Sequence, residues 1–239
     1  VVKTPHLQRL ADHGTTFLNA YCNNPVCAPS RFSMMAGQLP SRIGSFDNAS
    51  EFPAAVPTFA HYLRDLGYKT CLSGKMHFVG PDQLHGYEER LTTDIYPSDF
   101  GWTSDWSQTD YPFAPSVMSL RGVVESGLCQ RSLQLDYDDE VSFTSTKKIF
   151  DYARDQDDRP FFLTASFTHP HNPFTITEEY WNRYSDDEIN MPSVPFIPYA
   201  DRDPWSQRYY HLIRQDEHYV DDATILRARH AYYAMISYV

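Results

Sequence analysis

The sequence predicts an α/β sandwich built on a mostly parallel sheet. Three observations lead there: amphipathic helical segments alternate with short β-rich runs, three of the helices are each followed closely by a strand, and the last clear strand runs into a loop rich in histidine. In an open sheet of this kind a site lies beyond the carboxyl ends of the strands.

The elements follow in order. Thr4-Pro5 opens a short helix, with Thr at the N-cap position, Pro in the first turn and Gly14 as the stop. Residues 15–21 are β-rich and predict a strand that delivers the chain to the loop at Cys27. Pro25 and Pro29 forbid continuous helix or central strand between them, so the next helix is expected to start at Ser30, its positive N-terminus facing the Cys27 side chain. In residues 56–67, Phe59, Tyr62, Leu63 and Leu66 recur at helical spacing before Gly67, and a strand over 68–73 follows. A third helix is predicted over 138–154, a buried strand over 160–167, and a helical pattern over 221–239. Residues 80–135 lose periodicity to aromatic, Pro, Gly and Ser residues and predict long active-site loops; residues 185–204, with four prolines, are irregular as well. Without repeats or a composition break, residues 1–239 are expected to form a single domain.

The charge balance, 20 basic against 31 acidic residues for a net of -11, argues against nucleic acid or an anionic membrane as partner and suits a small cation. No apolar run approaches the roughly 18 residues of a membrane span. The four cysteines, Cys22, Cys27, Cys71 and Cys129, make neither a disulfide-dense scaffold nor the paired spacing of a structural zinc site. Three of them are expected to be buried thiols. Cys27 is set apart by its neighbours.

Those neighbours carry a resemblance. Cys27-Ala28-Pro29-Ser30-Arg31, continued by Met34-Met35-Ala36-Gly37, resembles the first signature of the type I sulfatases. Forty positions on, the string from Gly67-Tyr68-Lys69-Thr70 to Gly74-Lys75-Met76-His77 looks like the second. Lys75 and His77 alternate at a strand end, so both side chains can point the same way. Alone, they would read as a surface lysine beside a structural histidine. Thr168-His169-Pro170-His171-Asn172-Pro173 follows a strand, and His171, by its place before Asn172-Pro173, resembles the family histidine that protonates the departing alcohol; His169 is the weaker candidate. His61, His85, His211, His218 and His230 have no comparable setting and default to structure or surface.

The resemblance implies the alkaline-phosphatase-like sulfatase fold, incomplete here at both ends, and hydrolysis through a covalent sulfo-enzyme. Cys27 would be oxidised to formylglycine by a formylglycine-generating enzyme, and one hydroxyl of the hydrated aldehyde would attack sulfur. Arg31 and Lys75 would stabilise the anionic oxygens, and His77 would deprotonate the second hydroxyl so that sulfate is expelled. A divalent metal, calcium in most of the family, would be held in part by Cys27 as formylglycine. The family's paired aspartates, its later Asp-Asn or Asp-His pair and a second lysine have no counterpart, so the chain is expected to be an internal fragment whose remaining ligands lie outside it and which is inactive by itself. Asp221-Asp222 reads as a helix cap rather than a metal site.

Residues 91–106, Gln134-Leu135-Asp136-Tyr137-Asp138-Asp139-Glu140-Val141 and residues 166–174 resemble the choline-sulfatase subfamily, which points to choline sulfate as substrate. A quaternary ammonium donates no hydrogen bonds, so its recognition rests on an aromatic face. Trp102 is the first choice for that face and Asn48 a polar neighbour; with 15% aromatic residues, loop core is the alternative for Trp102. The acidic run 136–140 reads as a solvated helix start. Two other readings stay open: a phosphonate or phosphate monoester hydrolase, since related enzymes share the Cys27 motif, and a non-catalytic fragment. A cytoplasmic location is expected, with periplasmic or secreted as the alternative, and a homo-oligomer is compatible with the full-length protein. Mass spectrometry of the peptide spanning Cys27, in protein from its native host, is expected to show the aldehyde or its hydrate; an unmodified thiol would remove the nucleophile.

Overall fold

A computed structural model describes residues 2–96 and 119–239. Along the chain lie α1 (Pro5–Asp12), α2 (Cys27–Ala36), α3 (Pro40–Ile43), α4 (Phe59–Asp65), β1 (Lys69–Gly74), β2 (Glu89–Arg90), α5 (Arg121–Val124) and β3 (Gly127–Leu128). They are followed by α6 (Leu133–Arg154), β4 (Phe161–Ser166), β5 (Thr175–Ile176), α7 (Glu178–Trp181), α8 (Pro204–Leu212) and α9 (Asp222–Tyr238). The described residues divide into two compact units, one of 17–96 and 133–168, the other of 2–16, 119–132 and 169–239. No helix among the described residues is long and apolar enough to cross a membrane.

The first unit is organised by a parallel three-stranded sheet in the order β2-β1-β4. All six residues of the central strand are buried although only two are apolar. Each polar side chain therefore needs a partner. Lys69 Nζ donates to Asp155 Oδ2 at 2.9 Å and to the Asp157 carbonyl at 2.7 Å, Thr70 to the Gly86 carbonyl at 3.2 Å, and Ser73 Oγ meets Thr144 Oγ1 at 2.8 Å. The core lies between the sheet and α2: Phe32 stacks on Phe52 with ring centres 4.4 Å apart, Phe78 packs against both, and Met35, Leu72, Met76 and Tyr87 close around them. His85, entirely buried, stacks on Phe52 at 4.3 Å, and desolvation pushes its pKa down to about 4.

The second unit is arranged around α9. Asp221 caps this helix by accepting the Thr224 N–H at 2.8 Å, as the capping reading of Asp221-Asp222 requires. Arg227 donates to the carbonyls of Val124 and Ser126 at the end of α5, and His230 stacks on Trp181 with ring centres 3.9 Å apart. A short parallel pair, β3 with β5, completes it.

Several local expectations change. Residues 15–21 form no strand: no described strand pairs with them, and Phe17, Leu18 and Tyr21 are 78%, 89% and 89% exposed. β-Propensity without a ladder partner and a face to bury does not hold a strand. Helix α2 begins at Cys27, not Ser30. Pro29 occupies its third position, where a backbone N–H has no partner within the helix and proline does no harm. Helix α6 begins at Leu133, five residues before the expected 138, and Asp138 is wholly buried rather than solvated. Strand β4 is half-exposed, because it forms the edge of the described sheet. None of the four cysteines is in a disulfide, but only Cys71 is buried; Cys22 is exposed and Cys129 half-buried.

Gly74 ends β1 at φ +110°, and a Cβ there would lie 2.0 Å from the Ser166 carbonyl oxygen. Backbone cannot yield by such a distance while the β1–β4 ladder holds. Gly74→Ala is therefore expected to destabilise the fold by about 3 kcal/mol or more, read as a lowered denaturant midpoint.

Candidate active site

The β1–β4 ladder pairs Lys69 with Phe161 and ends at Gly74 with Ser166, and the Lys75 N–H extends it by donating to the Ser166 carbonyl at 2.9 Å. Lys75, Met76 and His77 follow as a buried turn beyond the strand end. The turn is held at its carbonyl side by two donors: Arg31 Nη1 and Ser166 Oγ reach the Lys75 carbonyl at 2.8 and 2.6 Å, and Arg31 Nη1 also meets Ser166 Oγ at 3.0 Å. Arg31 is the fifth residue of α2, and Phe32 and Met35 fix that helix in the core.

Cys27 is the first residue of α2, at the positive end of the helix dipole. Asn48 Oδ1 accepts the Ala28 N–H at 2.9 Å, and the Asn48 carbonyl lies 3.2 Å from His77 Nε2. A carbonyl can only accept, so Nε2 carries the proton and in the neutral ring Nδ1 is the basic nitrogen. Burial, reinforced by the Lys75 charge, lowers the His77 pKa and keeps the ring neutral near pH 7.

Burial also lowers the pKa of both cations. For Arg31 and for Lys75 alike, the foremost opposing influence is a negative charge on Cys27, which places all three side chains within one another's field. Lys75 Nζ lies 5.1 Å over the Tyr96 ring, whose hydroxyl accepts from Gln134 Nε2 at 2.8 Å. Two desolvated cations beside the head of a helix make a site for an oxyanion.

The expectations for Cys27, Arg31, Lys75, His77 and Asn48 thus fall on one unit and one constellation. His169 and His171 belong to the other unit: His169 is buried beside the Tyr238 ring, and His171 Nδ1 lies 2.6 Å from the Asn172 carbonyl. Trp102 lies outside the described residues.

Three participants escaped the motif reading. Ser166, quoted only as the start of a subfamily match, secures Arg31. Asp94 Oδ1 accepts from the N–H groups of both Met76 and His77, at 2.9 and 3.0 Å, and Asp138 Oδ1 accepts the Thr168 N–H at 2.7 Å. A lone aspartate in a loop or helix start gives no sequence signal of this kind; its burial and its facing N–H groups exist only after folding.

Among the described residues, no group of three or more His, Cys, Asp or Glu side chains could hold a metal ion. Asp94 and Asp138, the carboxylates whose charges reach Lys75, each accept backbone N–H groups. The described residues of this unit do not fit a divalent cation.

Such a parallel sheet, with a helix start and paired cations beyond the carboxyl ends of its strands, is of the alkaline-phosphatase-like fold class. The Sulfatase family matches residues 1–239, and the chain belongs to that family. It is 47% identical over 238 residues to the choline-sulfatase of Rhizobium meliloti (strain 1021), covering 98% of this chain and 46% of that protein. Its fold resembles the phosphonate monoester hydrolases of Agrobacterium radiobacter, with TM-score 0.68 and 20% identity, and of Silicibacter pomeroyi, with TM-score 0.66 and 19% identity; each match covers 99% of this chain and 52% of that one. The chain therefore spans about half the length of these proteins.

Because desolvation lowers the Lys75 pKa, its charge is lost at a pH below that of an exposed lysine. Affinity of the full-length protein for inorganic sulfate, measured by calorimetry, is expected to fall as pH rises through that lowered value. Lys75→Met should bind sulfate about tenfold more weakly, or worse, and lose this limb of the pH dependence.

Proposed function

We propose that this chain carries the sulfate-handling part of a sulfuric ester hydrolase whose substrate is choline sulfate. The observation that carries the reading is the pairing of Arg31 and Lys75, both desolvated, beside Cys27 at the start of α2. The 47% identity to a choline-sulfatase over 98% of the chain supports the choice of ester.

Formylglycine, formed from Cys27, supplies when hydrated the nucleophile for sulfur. The chain's other residues bind and move protons around it. Arg31 and Lys75 hold sulfate oxygens and offset the charge that builds on them in the transition state. His77, neutral and protonated at Nε2, presents Nδ1 as the base for a hydroxyl proton at residue 27. His171 gives a proton to the departing choline oxygen. Trp102 supplies the aromatic face for the quaternary ammonium, with Asn48 at the polar side of the same substrate. A divalent cation, calcium, belongs to the whole protein in this reading.

A second reading, a phosphonate or phosphate monoester hydrolase, rests on the Cys27-to-Arg31 motif that related enzymes share; the likeness to the two phosphonate monoester hydrolases speaks for the fold alone. Substrate charge separates the two. A choline sulfate ester brings one negative charge to the two cations and one positive charge to an aromatic face, whereas an aryl phosphate brings up to two negative charges and no cation. The full-length protein, matured in its native host, is expected to hydrolyse choline sulfate with a kcat/KM at least about a hundredfold above that for an aryl phosphate, a transition-state difference near 2.7 kcal/mol. Faster phosphate turnover would overturn the choice.

A further inference from the structure

His77 has a backbone φ of +60°, a left-handed conformation uncommon outside Gly, although His, like Asn and Asp, takes it more readily than most side chains. Something must hold it there. The same turn carries Lys75, so whatever holds it also sets the direction of both side chains.

The carbonyl side of the turn is secured by Arg31 and Ser166, both already part of the site. Its N–H side is secured by one carboxylate. Asp94 Oδ1 accepts from Met76 and His77 at once, and its Oδ2 receives Arg90 Nη2 at 2.6 Å in an ion pair whose side chains are only 10% and 9% exposed. Arg90 is fixed in turn by the carbonyls of Thr92 and Gln83, through Nε at 2.9 Å and Nη1 at 3.3 Å, and by Gln83 Oε1 at 2.8 Å. Two successive N–H groups converging on one oxygen form an anion nest, and here the chain supplies its own anion.

We propose that Asp94 is a positioning residue for the reaction: clamped by Arg90, it locks the Lys75-Met76-His77 turn in its left-handed form and so aims Lys75 and His77 at residue 27. The carboxylate touches neither substrate nor residue 27 in this role. It acts through the backbone. This inference rests on the sulfatase reading above, and sulfate binding provides a measure independent of turnover.

In full-length, matured protein, Asp94→Ala is expected to lower kcat for choline sulfate by about 10- to 100-fold while KM changes less than about threefold, since misplacing a reacting group by an ångström costs rate on that scale. Asp94→Asn, which keeps an acceptor oxygen for the two N–H groups but turns an amide donor toward Arg90 and loses the ion pair, should recover part of the loss. Folded Asp94→Ala with kcat within about twofold of wild type would overturn the proposal, and so would a loss that Asp94→Asn does not repair even in part. If wild type hydrolyses no sulfate ester, the sulfatase reading fails by itself. Weaker binding of inorganic sulfate by Asp94→Ala, partly repaired in Asp94→Asn, would still support the clamp, and equal binding by all three proteins would overturn it. Should Asp94→Ala not fold, Asp94→Asn alone decides: a partial loss of kcat and of sulfate affinity supports the proposal, and both within about twofold of wild type overturn it.

Discussion

The approach of Gly74 to Ser166 governs the rest of the first unit. Two parallel strands reach their carboxyl ends at the same level, with the Ser166 carbonyl oxygen where a side chain on residue 74 would begin. Only glycine permits this, and the close approach lets the ladder run one bond further, to the Lys75 N–H. From there the chain turns, and its Lys75 carbonyl becomes the acceptor on which Arg31 and Ser166 converge. A residue from a helix, one from an edge strand and one from beyond the central strand are thereby referred to a single peptide group. The aromatic stack of Phe32, Phe52 and Phe78 keeps the helix in reach.

The electrostatics run against the chain's overall character. A protein of net charge -11 keeps two cations out of water next to a helix start. Desolvating each is costly, and nearby carboxylates and a polarisable group at residue 27 compensate only in part. In the proposed function an arriving oxyanion completes the compensation, so the same burial that weakens the site's own charges would strengthen their grip on it.

Much of this was legible in the sequence. The two signature strings placed Cys27, Arg31, Lys75 and His77, because a motif encodes spacing and spacing becomes geometry once a strand and a helix are recognised. The α/β alternation, the helices at 5–12 and 222–238 and the strand near residue 70 followed from caps and periodicity. What escaped depended on partners far along the chain. Residues 15–21 have strand-like composition and no described strand beside them, so propensity misled. Asp138 resembled any acidic helix start until the Thr168 N–H was found facing it. Pro29 suggested a later helix start, yet at the third position a proline is nearly free of consequence.

The positive φ of His77 also shapes what substitution at that position can teach. Replacing the ring by alanine would remove an imidazole and at the same time ask a Cβ-bearing residue, without a polar side chain to support it, to remain left-handed, at a backbone cost of about 1 kcal/mol. Such a variant would mix two losses in one number. Asparagine tolerates the conformation and lacks the basic nitrogen, so it separates ring chemistry from backbone geometry. By the same reasoning, drift at this position among related chains would be steered toward residues at ease in a left-handed turn, whatever chemistry they bring.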